Sequence, residues 1–156
     1  MNKNNLSLVL EVVWWVFTLL LVVGILFPIY SKANATYPFY TSSILFIVVF
    51  VTFTRYIFLL KYTFLAHLEK LKLAIILFSA ITIFLLINEL NFFQTYLDEK
   101  GLGSFLSHLS LSEQDSLGAY IRNIMIFFGA GSIIAAIVLP LRLVVSIWLG
   151  RNRGTV

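Results

Sequence analysis

The segment Leu73–Phe93 reads LAIILFSAITIFLLINELNFF and carries a single charged residue, Glu89. Crossing about 30 Å of hydrocarbon takes ~20 mostly apolar residues, because a helix rises about 1.5 Å per residue. This segment meets that requirement, and so do the segments 12–29, 39–60 and 121–149. The sequence therefore predicts an all-α, polytopic membrane protein with four transmembrane helices.

The composition of the chain agrees with this class. Of its 156 residues, 60% are hydrophobic and 12% are charged, against about 45–50% and about 25% in soluble domains. A disordered chain is excluded, because disorder requires low hydrophobicity. The absence of cysteine excludes disulfide scaffolds, cysteine-based zinc sites and thiol nucleophiles. The longest connection, 94–120, is too short for a soluble domain, so we expect residues 1–156 to form one four-helix transmembrane domain.

The basic residues indicate how the helices are oriented, because cytoplasmic loops carry an excess of Lys and Arg. One side of the predicted bundle holds Lys3, Arg55, Lys61, Lys70, Lys72, Arg142, Arg151 and Arg153. The opposite side holds only Lys32, Lys100 and Arg122. This asymmetry predicts that both termini are cytoplasmic, in a multi-pass protein of the cell inner membrane.

The N-terminus permits a second interpretation. Lys3, the apolar run after it and Ala33-Asn34-Ala35 resemble a cleavable signal peptide. However, the run exceeds the usual apolar core of about 7–15 residues, and Glu11 lies at its start. A retained first helix is the preferred interpretation.

Two connections are predicted to be helical. The inner segment 61–72 contains neither Gly nor Pro, which favours an extension of helix two beyond the membrane. In the outer loop between helices three and four, Leu102, Phe105, Leu106 and Leu109 follow helical spacing. They predict a short amphipathic helix, either in the membrane interface or as a cap on the bundle. Pro140 is expected to kink helix four.

Charged residues inside the predicted spans form two groups. Glu11, Arg55 and Arg142 come from three helices and lie about 8–10 Å from the inner helix ends, at 1.5 Å per residue. With two cations and one anion, this group is a candidate site for an anionic phospholipid or a partner's carboxylate. The second group, Glu89 and Arg122, predicts an ion pair between helices three and four near the outer side.

Small residues in helix four predict close helix packing. Gly131 and Ala135 are four residues apart, the spacing that lets a second helix approach closely.

No pattern of catalytic or metal-binding residues is recognisable. His67 and His108 fall in loops on opposite sides of the membrane, which excludes a bis-histidine haem within one chain. His108, next to Ser107, supports only a weak hypothesis of a nucleophile site, since a catalytic triad is recognised by geometry. Phosphate-loop, zinc-helix and dinucleotide motifs are absent. We therefore expect neither a catalytic site, a cofactor nor a metal.

These features favour a non-catalytic accessory or structural subunit of a larger inner-membrane complex. Its expected partners are the lipid bilayer and other membrane-protein subunits, with no role for nucleic acid. Two alternatives remain open at this point. One is a small oligomeric transporter or channel, and the other is a lipid-modifying membrane enzyme that uses the outer loop.

Overall fold

The computed structural model describes residues 3–33 and 37–152, with the side chains of residues 3–7, 64 and 67 left out of the description. This part of the chain is helical and contains no strand. Its helices are α1 (Lys3–Ala33), α2 (Tyr40–Leu59), α3 (Glu69–Lys100), α4 (Gly103–Leu106) and α5 (Leu111–Asn152). The signal-peptide pattern at 33–35 falls largely outside the described residues.

Helices α1, α2, α3 and α5 are long and apolar enough to cross a membrane, which indicates a multi-pass membrane protein. Each predicted span lies inside one of these helices, except for one residue at each end of α2. The helices are longer than the apolar runs because polar flanks continue the same backbone hydrogen bonding. Pro140 lies inside α5, which continues to Asn152, and the kink expected there stays a prediction.

The four long helices are arranged around α2 and α5. Helix α5 packs along both α2 and α3, whereas α1 packs mainly on α2. Helix α1 also contacts α5 through the Tyr120 hydroxyl, which donates to the Ile25 carbonyl at 2.9 Å. We call the ends of the bundle outer and inner as the charge distribution of the sequence predicts. The main core fills the outer half around residues such as Phe46, Phe93 and Met125, all completely buried. A smaller core, formed by Leu60, Leu65, Leu139 and Leu143, closes the inner end. Helices α1 and α3 therefore flank the bundle and expose most of their surface.

The prediction that helix two extends into the inner loop is wrong. Helix α2 ends at Leu59 and is followed by 3₁₀ turns at Leu60–Tyr62 and Phe64–His67. Between them, Thr63 adopts an extended conformation with φ −99° and ψ 159°, and its hydroxyl donates to the Leu60 carbonyl at 2.8 Å. A threonine hydroxyl that bonds the local backbone in this way competes with helix formation.

The outer loop contains the single helical turn α4, and aromatic rings fix it to the bundle. Phe105 contacts Tyr37 with ring centroids 5.5 Å apart, and Phe39 contacts Phe93 at 5.1 Å, both edge to face. Phe105 and Leu106 are buried in the main core. Phe105 also lies 6.3 Å from the Tyr96 ring of α3, so α4 is tied to the start of α2 and to the outer end of α3. Its predicted position in the membrane interface stays a prediction.

Helix α5 begins with a capping arrangement that also reaches α1. The Glu113 carboxylate accepts hydrogen bonds from the Ser110 hydroxyl at 2.8 Å and the Ser110 backbone N–H at 3.3 Å. This is the Glu half of a capping box. Glu113 also lies 3.5 Å from Lys32, near the end of α1. The hydrogen bonds from Ser110, with a smaller contribution from the Lys32 charge, lower the pKa of Glu113 below its usual 4.5.

We expect the first turn of α5 to lose protection against hydrogen exchange as the pH falls below 4.5. A carboxyl whose pKa is lowered by folding stabilises the folded state above its unfolded pKa, and that contribution is lost as the pH falls through the folded pKa. Amide protection factors measured from about pH 3 to about pH 6, a range that brackets the ordinary pKa of a glutamate carboxyl, test this. In Glu113→Ala the pH step should vanish, whereas the exposed-site control Glu99→Ala should keep it. A step that persists in Glu113→Ala would refute the assignment.

Candidate functional site

Two of the three residues predicted as the inner charge group form a buried ion pair. The Arg55 Nη1 atom of α2 donates to the Glu11 Oε2 atom of α1 at 2.8 Å. Their side chains are only 5% and 12% exposed, respectively. The guanidinium also lies 5.6 Å from the Trp14 ring and 5.7 Å from the Tyr56 ring. The pair is surrounded by aromatic side chains and joins α1 to α2 at the level of the inner core.

The pair leaves hydrogen-bonding groups unused. The Arg55 Nε and Glu11 Oε1 atoms are buried and have no hydrogen-bond partner in the described part of the chain. A cavity of about 250 Å³ adjoins Arg55, lined also by Leu10, Trp14, Leu59, Tyr62 and Thr63. An unpaired buried donor or acceptor costs about 1–3 kcal/mol. The cavity therefore places space for a small polar molecule or headgroup next to Arg55.

The third residue of the predicted group, Arg142, makes a different contact. Its Nε atom donates to the Ile57 carbonyl at 3.2 Å, in the last turn of α2. Among the described residues, no salt bridge joins Arg142 to Glu11. Carbonyl groups in the last helical turn lack intrahelical partners and carry the negative end of the helix dipole. Arg142 thus caps α2 from α5, and the structure does not bring the three charges into one cluster.

Lys72 is a buried cation that the sequence analysis counted only toward topology. It is 3% exposed, and its Nζ atom donates to the Ala66 carbonyl at 2.7 Å and the Ser146 hydroxyl at 3.1 Å. These bonds connect α3, α5 and the second 3₁₀ turn. The sequence does contain a pattern that indicates burial of Lys72. Lys72 lies 14 and 21 residues before Leu86 and Phe93, which places all three on the buried face of α3.

The predicted ion pair between Glu89 and Arg122 is absent from the part of the chain that the structure describes. Instead, the Glu89 carboxylate accepts a hydrogen bond from the Ser42 hydroxyl of α2 at 2.7 Å. The side chain of Leu90, the next residue in α3, lies against Gly129 of α5. Gly129 is about 10 Å further along α5 than Arg122, at ~1.5 Å per residue. Glu89 is therefore much deeper than Arg122.

The small residues of α5 receive side chains of two neighbouring helices of the same chain. A Cβ atom at Gly131 would lie 2.8 Å from the Phe50 ring of α2, and one at Gly129 would lie 2.8 Å from Leu90 Cδ1 of α3. Ala135, one turn beyond Gly131, is 5% exposed. Close approach to α5 from both sides thus depends on residues without bulky side chains.

The remaining titratable residues in the described part of the chain do not converge on a metal site. The described residues include no group of three or more His, Asp or Glu side chains placed to hold a metal ion. The His108 Nε2 atom lies 2.8 Å from the Lys32 carbonyl and donates to it, which ties the outer loop to the end of α1. The side chain of His67 lies outside the description.

Comparison of the chain with protein-family models, with curated proteins and with solved structures finds no match.

We expect Glu11→Ala to destabilise the protein by about 3–5 kcal/mol, because it leaves the Arg55 guanidinium buried without a counter-charge. The double variant Glu11→Leu, Arg55→Leu should recover most of that loss, since well-packed apolar residues replace a buried ion pair at little cost. Unfolding of the purified protein in detergent, followed by circular dichroism, measures both. A double variant as unstable as Glu11→Ala would show that the lost pairing is not the cause.

We expect Gly131→Ala to destabilise the bundle. Overpacking against Phe50 costs roughly 1–3 kcal/mol, and the higher helix propensity of Ala offsets only ~0.5–1 kcal/mol of it. Gly24→Ala in α1 is the matched control, because a Cβ atom there meets nothing within 4 Å. The same unfolding assay should therefore give changes of opposite sign for the two variants. Equal changes would contradict the close approach of α2 to α5.

Proposed function

We propose that this chain is a non-catalytic accessory subunit of a larger membrane-protein assembly in the cytoplasmic membrane, with both termini in the cytoplasm. One observation carries the proposal. The ionisable side chains buried between the helices are used in contacts that join one helix to another. Glu11 bonds Arg55, Glu89 accepts from Ser42, and Lys72 bonds the backbone and Ser146. Charges committed to helix packing are of little use for proton transfer or substrate turnover.

The exposed helix surfaces support a role in assembly. Only 6% of the most apolar part of α3 is buried, against 39% for α5. Helix α1 is similarly open, with large side chains such as Trp15, Leu19 and Phe27 more than half exposed. Both helices therefore offer long faces to lipid or to neighbouring transmembrane helices, where van der Waals packing and hydrogen bonds drive association.

The inner charges support an interaction with anionic lipid. Arg142 and Lys72 have carbonyl and hydroxyl partners, and no described carboxylate within 4.0 Å balances either charge. Both lie on the side that the excess of Lys and Arg assigns to the cytoplasm. Lys72 is only 3% exposed, so a headgroup would reach the half-buried Arg142 instead. An anionic headgroup of that leaflet would supply negative charge there, since a guanidinium binds phosphate through two parallel hydrogen bonds.

Purification from native membranes at the natural expression level tests the proposal. After mild detergent extraction of the tagged full-length chain, we expect mass spectrometry to find at least one other membrane protein in stoichiometric amounts. A tagged membrane protein of similar size and abundance provides the background. Recovery of this chain without any stoichiometric partner protein would overturn the proposal.

A small oligomeric transporter is the second candidate, favoured by the cavity beside Arg55 and the unpaired Glu11 Oε1 and Arg55 Nε atoms. It predicts solute flux across proteoliposomes that carry the purified chain, and a changed flux in Glu89→Gln. Absence of flux for a panel of small anions, cations and zwitterions would count against this candidate.

A further inference from the structure

The outward face of α3 carries a regular seam. It consists of Leu77, Ile81, Phe84, Asn88, Asn91 and Thr95, which are spaced alternately by four and three residues. All six side chains are exposed, Leu77 by 73%, Ile81 by 55% and Phe84 by 62%. They lie opposite the face that buries Leu86 and Phe93. Alternating steps of four and three residues are the a/d pattern of a left-handed coiled coil.

The outer part of this seam is polar at a depth where lipid offers no hydrogen bonds. Helix α3 has 32 residues and is therefore about 48 Å long, against about 30 Å of hydrocarbon. If the helix is centred in the bilayer, roughly 9 Å projects at each end, and Asn88 and Asn91 lie within the hydrocarbon. In the described part of the chain, neither Asn side chain makes a hydrogen bond. Two exposed carboxamides facing lipid are costly unless another helix covers them.

We propose that α3 is a dimerisation helix, which packs in parallel against α3 of a second copy of this chain along the seam. Two copies inserted with the same topology place identical residues at the same depth, so Asn88 faces Asn88 and Asn91 faces Asn91. A carboxamide has both donors and an acceptor and therefore pairs with its own kind. Asn at an a position, which Asn88 occupies, also fixes register and oligomeric state in coiled coils.

Contact with another helix is more favourable for the seam than contact with lipid, because lipid chains form no hydrogen bonds with the carboxamides of Asn88 and Asn91. A second copy fits better than an unrelated helix, because a two-fold axis makes one seam complementary to itself without further residues. The apolar half of the seam, Leu77, Ile81 and Phe84, then packs in the inner leaflet, and the Asn pairs hold the outer half. This inference does not depend on the proposed function.

Disulfide crosslinking in native membranes tests the geometry, and the chain contains no cysteine of its own. Single variants Ile81→Cys and Phe84→Cys place a thiol on the seam. Phe78→Cys and Leu85→Cys, at 58% and 55% exposure, are matched controls beside it. We expect the two seam variants to form a crosslinked homodimer at least about tenfold faster than the controls. Equal rates at all four positions, or crosslinks only to a different protein, would overturn the proposal.

The role of the carboxamides is tested by association of fluorescently labelled full-length chains in liposomes. Each interhelical Asn contact is worth about 3- to 20-fold in affinity, so Asn88→Leu, Asn91→Leu should weaken the dimer by about tenfold or more. Gln94→Leu is the control, because Gln94 is also exposed at similar depth but lies off the seam. Unchanged helicity by circular dichroism shows that the variants fold.

A wild-type chain that stays monomeric in liposomes, or equal weakening by Gln94→Leu, would overturn the proposal. The tests of dimerisation and of the accessory role can give different results, so failure of one proposal can be told from failure of the other. A homodimer without other partners supports this inference and contradicts the accessory role, whereas a partner without a homodimer does the reverse.

Discussion

The structure depends on one constraint, the exclusion of water from the side chains that lie between the helices. A cation in that environment must find its counter-charge or hydrogen-bond acceptors within the protein. Arg55 donates to Glu11 of α1, and Arg142 donates to a carbonyl in the last turn of α2. Lys72 donates to the Ala66 carbonyl of the second 3₁₀ turn and to the Ser146 hydroxyl. Each solution connects separate segments. The inner end of the bundle is therefore held by polar contacts that, apart from the bond of Lys72 to Ala66, join residues far apart in sequence.

The outer end is held differently. Edge-to-face contacts among Tyr37, Phe39, Phe93 and Phe105 join the helix ends to α4, and the largest buried apolar side chains lie nearby. Close approach of α2 and α3 to α5 depends on Gly131 and Gly129, which receive the Phe50 ring and the Leu90 side chain. Apolar packing and aromatic contacts thus contribute most to holding the outer half of the bundle.

The four spanning helices could be predicted from the sequence, because the length of an apolar run is a local property that the bilayer thickness makes decisive. The contacts between helices could not be predicted in the same way. The expected pairing of Glu89 with Arg122 assumed that both lie near the ends of their helices. However, α3 continues to Lys100 and α5 begins at Leu111, so Glu89 and Arg122 lie equally far from their helix ends. The two helices are offset along their axes, which places Leu90 against Gly129 and Glu89 beside a part of α5 deeper than Arg122. Relative depth and rotation depend on packing partners that one sequence does not specify.

The sequence placed Glu11, Arg55 and Arg142 at similar depth, but which of them meet depends on the rotation of each helix. In the structure, α1 and α2 turn Glu11 and Arg55 toward each other, whereas Arg142 of α5 contacts the Ile57 carbonyl. The direction in which a polar side chain faces also decides whether it has a partner within the bundle. Lys72, Glu89 and Ser42 face the bundle and have partners within it. Asn88 and Asn91 belong to the same helix as Lys72 and Glu89 but face away from the bundle. Because hydrocarbon penalises unpaired polar groups on either face, the outward pair requires a partner that one copy of this chain does not supply.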